Sequence, residues 1–119
     1  MLKLNRDERE SFITLDGSQI RELAHAFARN ESLAEATVSP QSETVEHYHR
    51  RSEELYYFLA GSGRMRLGDE EDDVRAGDCV VIPPGTPHKL WNPGPDALVL
   101  LCCCAPPYSD DDTVLMMGT

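Results

Sequence analysis

Apolar side chains in this chain occur in runs of about four to eight residues, several of them alternating with polar ones, and the runs end at Gly, Pro, Asp or Ser. Alternation with a period of two buries one face of an extended segment, and such frequent breaks leave little room for long helices. The pattern predicts strands over residues 12–15, 33–38, 44–49, 54–59, 64–67, 79–82, 88–91 and 97–104. Turns are expected at residues 16–18, 39–42, 61–63, 68–73, 76–78, 83–87 and 93–96. Residues 20–28 stay open: Ile20, Leu23, Ala24 and Phe27 have helical spacing, but the segment starting Ile20-Arg21-Glu22-Leu23 could also be extended. Many short strands at regular spacing predict an all-β, antiparallel sandwich or barrel. At 119 residues one domain is expected, with an N-terminal strand and extension over 1–31, a barrel core over 32–108 and a tail over 109–119. The extension has room for a helical turn.

Charge narrows the partners. With 21 acidic against 11 basic side chains, the net charge is −10 and the pI about 4.7, which opposes binding to nucleic acid or to an anionic membrane surface. The N-terminus has no apolar leader core, and no apolar run is long enough to cross a bilayer, so a cytoplasmic location is expected. Three of the four cysteines are consecutive, unlike the spaced framework of a disulfide-stapled domain, and reduced thiols are expected. The acidic clusters at residues 69–73 and 110–112 are read as solvated loop faces.

Candidate chemistry lies in the histidines. Three of the four fall in two short stretches, His47-Tyr48-His49 followed by Glu54, and Pro83-Pro84-Gly85-Thr86-Pro87-His88. Alternation places His47 and His49 on one face. Glu54 has the wrong parity for that face on a continuous strand, but a hairpin loop at Arg50-Arg51-Ser52-Glu53 would set it directly opposite His49. The same register would set Tyr56 opposite His47 and Phe58 opposite Val45, and would turn Glu53 away. The proline-rich stretch cannot continue a central strand, so it delivers His88 at the start of a new one. His25 lies outside the pattern and is read as a surface or internally satisfied residue. Tyr56 and Glu35 are the candidates for moving a proton or donating a hydrogen bond near the site. Cys102 and Cys104 share one strand face, with Cys103 on the other, and are read as small core residues.

These two stretches resemble the paired motifs of the cupin superfamily, G-x5-H-x-H-x3–4-E-x6-G and G-x5-P-x-G-x2-H-x3-N. The second is matched throughout, at Gly77, Pro83, Gly85, His88 and Asn92. The first is matched at His47, His49, Glu54 and Gly61, with Gln41 where its opening glycine would stand. The resemblance implies a small single-domain, antiparallel double-stranded jelly-roll barrel holding one divalent transition metal, iron, manganese, nickel or zinc, on His47, His49, Glu54 and His88. Four protein ligands on an octahedral ion leave two positions for water or a chelating ligand. The function expected is that of a metal-dependent enzyme acting on a small polar metabolite, with dioxygenase or isomerase and decarboxylase types of chemistry; the alternative is a non-catalytic small-molecule or metal-binding module. A homodimer is expected, because the exposed edges of a small barrel favour strand addition or sheet packing.

Overall fold

The computed structural model describes residues 1–24 and 27–117. The strands are β1 (Phe12–Ile13), β2 (Gln19–Glu22), β3 (Ser32–Val38), β4 (Ser42–Glu43), β5 (His47–His49), β6 (Glu53–Ala60), β7 (Ser62–Leu67), β8 (Glu70–Arg75), β9 (Cys79–Ile82), β10 (His88–Asn92), β11 (Leu98–Ala105) and β12 (Thr113–Leu115). Single 3-10 turns lie at Arg6–Glu8 and Asp110–Asp112. One sheet has the order β1-β2-β3-β11-β6-β9 and the other β12-β5-β10-β7-β8, with β4 also pairing β10; the ladders are antiparallel. The two sheets face each other as a jelly roll. Among the described residues no helix is long and apolar enough to cross a membrane.

Alternation within the long strands decides what lies between the sheets. On β6 the inward positions are Glu54, Tyr56 and Phe58; on β10 they are His88, Leu90 and Asn92. On β11 Leu98, Leu100 and Cys104 are buried, with Cys102 packed beside them. Along each strand the character of these positions changes. Phe58, Leu98, Leu100 and Val38 pack an apolar core toward one end, while Glu54, His88 and Cys104 occupy the other, with Ile82 paired opposite Glu54. Asn92 closes the core end: it is buried, donates to Val38 O at 3.0 Å and to Asp96 O at 2.8 Å, and accepts from Gly94 N at 3.2 Å. That pairing satisfies backbone groups that would otherwise be stranded under the sheet.

Three expectations need correcting. First, residues 50–53 form no hairpin, because β5 and β6 belong to different sheets. Strand β6 pairs along its length with β11, setting Tyr56 opposite Cys102 and Phe58 opposite Leu100, a far longer ladder than the three residues of β5 offer. The polar stretch after His49 instead carries the chain across from one sheet to the other. Second, residues 70–75 are a strand. Arg66 lies opposite Glu71 and Arg64 opposite Asp73, so cross-strand ion pairs support an acidic edge that the charge pattern hid. Third, Asp112 is buried, as developed below. The segment from Ile20, left open between helix and strand, begins extended as part of β2. The reading of His25 falls outside the described residues.

Candidate metal centre

Strand register brings the two histidine stretches together. His88 on β10 is the direct partner of His47 on β5, and His49 is two residues further along the same inward face. Ring centroids are 4.3 Å apart for His47 and His88, 5.3 Å for His47 and His49, and 5.5 Å for His49 and His88. Glu54 reaches them from the opposite sheet: its Oε1 is 3.1 Å from His49 Nε2 and 3.3 Å from His88 Nε2. The inward parity of Glu54 was legible in the sequence, but the reason is packing across the sandwich and not a hairpin.

Each imidazole is oriented by its other nitrogen. His47 Nδ1 is 2.8 Å from Val45 O and His88 Nδ1 is 3.0 Å from Thr86 O; a carbonyl only accepts, so both Nδ1 atoms carry the proton. His49 Nδ1 is 3.0 Å from the Thr113 hydroxyl, which donates its own proton to Ser109 O at 2.9 Å and so accepts from the ring. All three Nε2 lone pairs are thereby turned inward, the tautomer a metal ligand requires. The turn before His88 is fixed in the same way: Gly85, at φ 78°, donates its N–H to His49 O at 2.6 Å.

Three lone pairs and a carboxylate oxygen pointing at one another need a cation between them. His88 Nε2 is buried with no aligned hydrogen-bond partner, even with Glu54 so near. Ligand atoms of His47, His49 and His88 all lie within 4.8 Å of one another, near the span of two metal–ligand bonds of about 2.1 Å. Burial alone would raise the Glu54 carboxyl, but the His49 and His88 imidazoles facing it outweigh that and hold it at about 2. Burial lowers the His47 imidazole, with His88 adding to the effect, which keeps it in the neutral, ligating form. These residues fit a divalent transition metal.

The groups around the cluster divide into several kinds. Cys104 donates its thiol to Glu54 Oε2 at 3.2 Å, holding the second carboxylate oxygen away from the imidazoles. Burial, then the Glu54 charge, push both the Cys104 and Cys102 thiols up, so they stay protonated. The same two causes keep the Tyr56 phenol protonated; its ring stands edge-on to His88 with centroids 5.7 Å apart. Glu35 is not brought to the site. It points to the other side of β3, where Arg6 grips it at 2.8 Å through Nη2 and at 3.0 Å through Nε.

Asp16 is the residue that sequence reasoning missed. It was read as a turn former, and it is one: Oδ1 accepts from Ser18 N at 2.9 Å and Ser18 Oγ at 2.7 Å. Its Oδ2, however, is turned toward the cluster, 3.9 Å from His47 Nε2. Tyr108 and Thr113, both beyond the predicted strands, also line the cavity, and nothing in the local pattern marks them. The open space above the cluster, mouth included, is about 750 Å³, and aromatic rings of Phe12, Tyr56 and Tyr108 stand around it.

Comparison with known proteins agrees with this fold. The sequence profile of the Cupin domain family matches residues 34–104. An uncharacterised protein of Methanocaldococcus jannaschii is 46% identical over 104 residues, covering 85% of this chain and 83% of that protein. The polyketide cyclase RemF of Streptomyces resistomycificus superposes with a TM-score of 0.84 at 24% identity, over 100% of this chain and 87% of that one. Pac13, a nucleoside dehydratase from Streptomyces, does so with a TM-score of 0.81 at 20% identity, over 98% and 91%. The two structural likenesses are likenesses of fold, whereas the profile match and the archaeal relative extend to sequence. The chain belongs to the cupin family.

Proposed function

We propose that this cupin is a metal-dependent enzyme that moves a proton on a small organic molecule, chemistry of the isomerase and lyase kind, with His47, His49, Glu54 and His88 as the metal ligands. The observation that carries the reading is Asp16 Oδ2, a carboxylate oxygen outside the four-residue cluster yet turned toward it. A site built only to hold a ligand has no use for a second carboxylate there, whereas proton transfer next to a cation does. The chemistry a bound divalent ion supplies is Lewis-acid polarisation of a carbonyl or hydroxyl oxygen. Asp16 would take the proton from the adjacent carbon or oxygen, and Ser18 holds its other oxygen so that the carboxylate does not swing away. Tyr56, kept neutral by burial, would donate a hydrogen bond. That RemF is a cyclase and Pac13 a dehydratase supports the reading by analogy, since this fold carries such chemistry elsewhere.

The test has two stages. Elemental analysis of the purified protein is expected to find one transition metal per chain, strongly reduced in His49→Ala and His88→Ala. Full metal content in both variants removes the proposed site. Solvent-deuterium incorporation into a panel of hydroxyketones, followed by NMR, is then expected to require Asp16: Asp16→Asn keeps the metal and loses the exchange. Exchange undiminished in that variant refutes the role given to Asp16.

A homodimer belongs to the same proposal, through the outer face of the β6 sheet. Leu55, Tyr57 and Leu59 on β6 and Val81 on β9 are exposed there, and the register sets Val81, Leu55 and Cys103 in one row and Cys79, Tyr57 and Leu101 in the next. The outer face of an antiparallel sheet in a monomer is ordinarily polar. The acidic strand β8 lies in the other sheet, so two copies can pair on this face without bringing their strongest like charges together. A cytoplasmic location also fits four cysteines of which none is in a disulfide.

A further inference from the structure

We propose that the cavity selects ligands that are uncharged in solution and carry two neighbouring oxygens on an apolar frame, such as phenolic diols, enols and hydroxyketones, over carboxylates and phosphates. This rests on the metal reading above and names the substrate class of that site. Among the described residues that line the cavity there is no lysine or arginine. Arg9, which donates Nε to Glu22 O at 2.9 Å and stands 5.8 Å from the Phe27 ring centroid, is not among the lining residues. Three carboxylates do line it: Glu54 within the cluster, Asp16 beside it and Glu22.

A divalent ion bound by the cluster would therefore be the cationic centre that a ligand meets among the described lining residues, and its two charges would already be matched by Glu54 and Asp16. A carboxylate or phosphate bound there would have no second cationic partner among the described lining residues and would face the Asp16 carboxylate. Ile20, Ala34, Ala36, Val38, Leu90 and Leu100 make the apolar part of the remaining wall, and its polar part is uncharged hydroxyls such as those of Thr14, Thr44 and Tyr108. Such walls stabilise a hydrocarbon frame and offer an anion hydrogen bonds but no opposite charge. The net charge of −10 acts in the same direction over longer range, lowering the local concentration of anions around the mouth.

Catechol and salicylate make a matched pair of probes: both are single aromatic rings that chelate through two oxygens, but salicylate arrives as an anion at neutral pH, whereas catechol arrives neutral and gives up a proton on chelation, to Asp16 or to the buffer. The chain is loaded with Zn²⁺ and each probe is titrated by calorimetry. Catechol is expected to bind at least about tenfold more tightly, since like charges a few ångströms apart repel strongly at an effective dielectric of about 20. Asp16→Asn, which keeps the Ser18 hydrogen bonds, is expected to improve salicylate binding more than catechol binding and so narrow the gap. Stoichiometric Zn²⁺ binding with salicylate equal to or tighter than catechol overturns this inference and leaves the metal reading standing, and so does failure of catechol to bind the Zn²⁺ form. Absence of Zn²⁺ binding overturns both.

Discussion

Asp112 braces the crossing between His49 and Glu54, two of the four proposed ligands, and removing its carboxylate tests how the site is built. His49 ends a strand in one sheet and Glu54 lies at the start of a strand in the other, so residues 50–52 must cross the sandwich in a fixed path. Asp112 Oδ1 accepts from Arg51 N at 2.9 Å and Oδ2 from Ser52 N at 3.1 Å, while Arg50 N donates to the Asp112 carbonyl at 2.8 Å. The Ser52 hydroxyl adds a bond to Pro106 O at 2.7 Å. A hydrogen bond to a charged acceptor contributes about 1.5–3 kcal/mol. Asp112→Ala removes two of them, but Arg51 is exposed and its N–H regains water, whereas Ser52 is buried and its N–H does not. The expected loss is therefore about 2–3 kcal/mol, dominated by Ser52. Asp112→Asn keeps one acceptor and turns an NH₂ toward the other donor, so it loses most of the same amount.

The pH dependence follows from the same contacts. Burial raises the Asp112 carboxyl, but the N–H groups of Ser52 and Arg51 outweigh it and hold it below the ordinary aspartate value. A carboxyl depressed in the folded state contributes stability that is full above its unfolded pKa, about 3.9, and is lost as the pH falls through the lower folded value. The gap between the native chain and Asp112→Asn is thus expected to be constant from neutral pH to about 5 and to shrink below about 4. Urea unfolding of the metal-free proteins across this range measures it, and a Zn²⁺ titration at neutral pH checks the link to the site, with affinity falling about tenfold as for the loss of a residue that orients a metal ligand. An alanine variant within about 0.5 kcal/mol of the native chain at neutral pH refutes the assigned role, since that is the scatter of ordinary surface substitutions. A gap that persists undiminished to about pH 3 refutes the carboxylate as its source.

Two glycines separate strain from collision. Gly77 has φ 96° with nothing within 4 Å of a built Cβ, so Gly77→Ala is expected to lose only the backbone strain, about 1–2 kcal/mol. Gly61 has φ 82° and a Cβ there would run into the Ala97 carbonyl, with Leu98 Cα at 3.2 Å, so Gly61→Ala should be worse by a further 1–3 kcal/mol, roughly the range for overpacking; equal losses in thermal unfolding refute the difference. Brief alkylation near about pH 8 should label exposed Cys79 first and leave Cys102 and Cys104 intact, because their thiols are held protonated; mass spectrometry showing Cys104 modified as fast as Cys79 refutes that. Tyr57→Lys, which puts a charge in the middle of the apolar sheet face, is expected to convert a sedimenting dimer to a monomer without loss of fold, and a dimer unchanged by it moves the interface elsewhere.

What the chain discloses in advance is parity, because side-chain alternation is a local property. His47 with His49 and Cys102 with Cys104 follow from counting by twos, and each pair is found on the inward face; Glu54 over Glu53 rests instead on a hairpin register, and Glu54 is inward although that hairpin does not form. Pairing is not local, and there the reading failed. A hairpin between residues 49 and 54 is the shortest connection available, but β6 gains an eight-residue partner in β11, some forty residues later in the chain, and long-range pairing prevails over the short loop. The charge pattern misled in a related way. Repulsion within residues 69–73 argues for solvent, and residues 70–73 are indeed exposed, but it argues for a loop only while the facing strand is unknown; once Arg64 and Arg66 stand opposite, the same charges hold an edge strand. Asp112 likewise reads as one of three solvated aspartates until the crossing it anchors is placed beside it. The proposed ligands thus lie on short strand segments, while the crossing that joins His49 to Glu54 is braced by a carboxylate some sixty residues away that belongs to neither motif. A chain that kept both motifs and lost that anchor would keep the four ligand side chains but hold His49 and Glu54 less firmly at bonding distance, so the motifs alone are an incomplete criterion for a working metal centre.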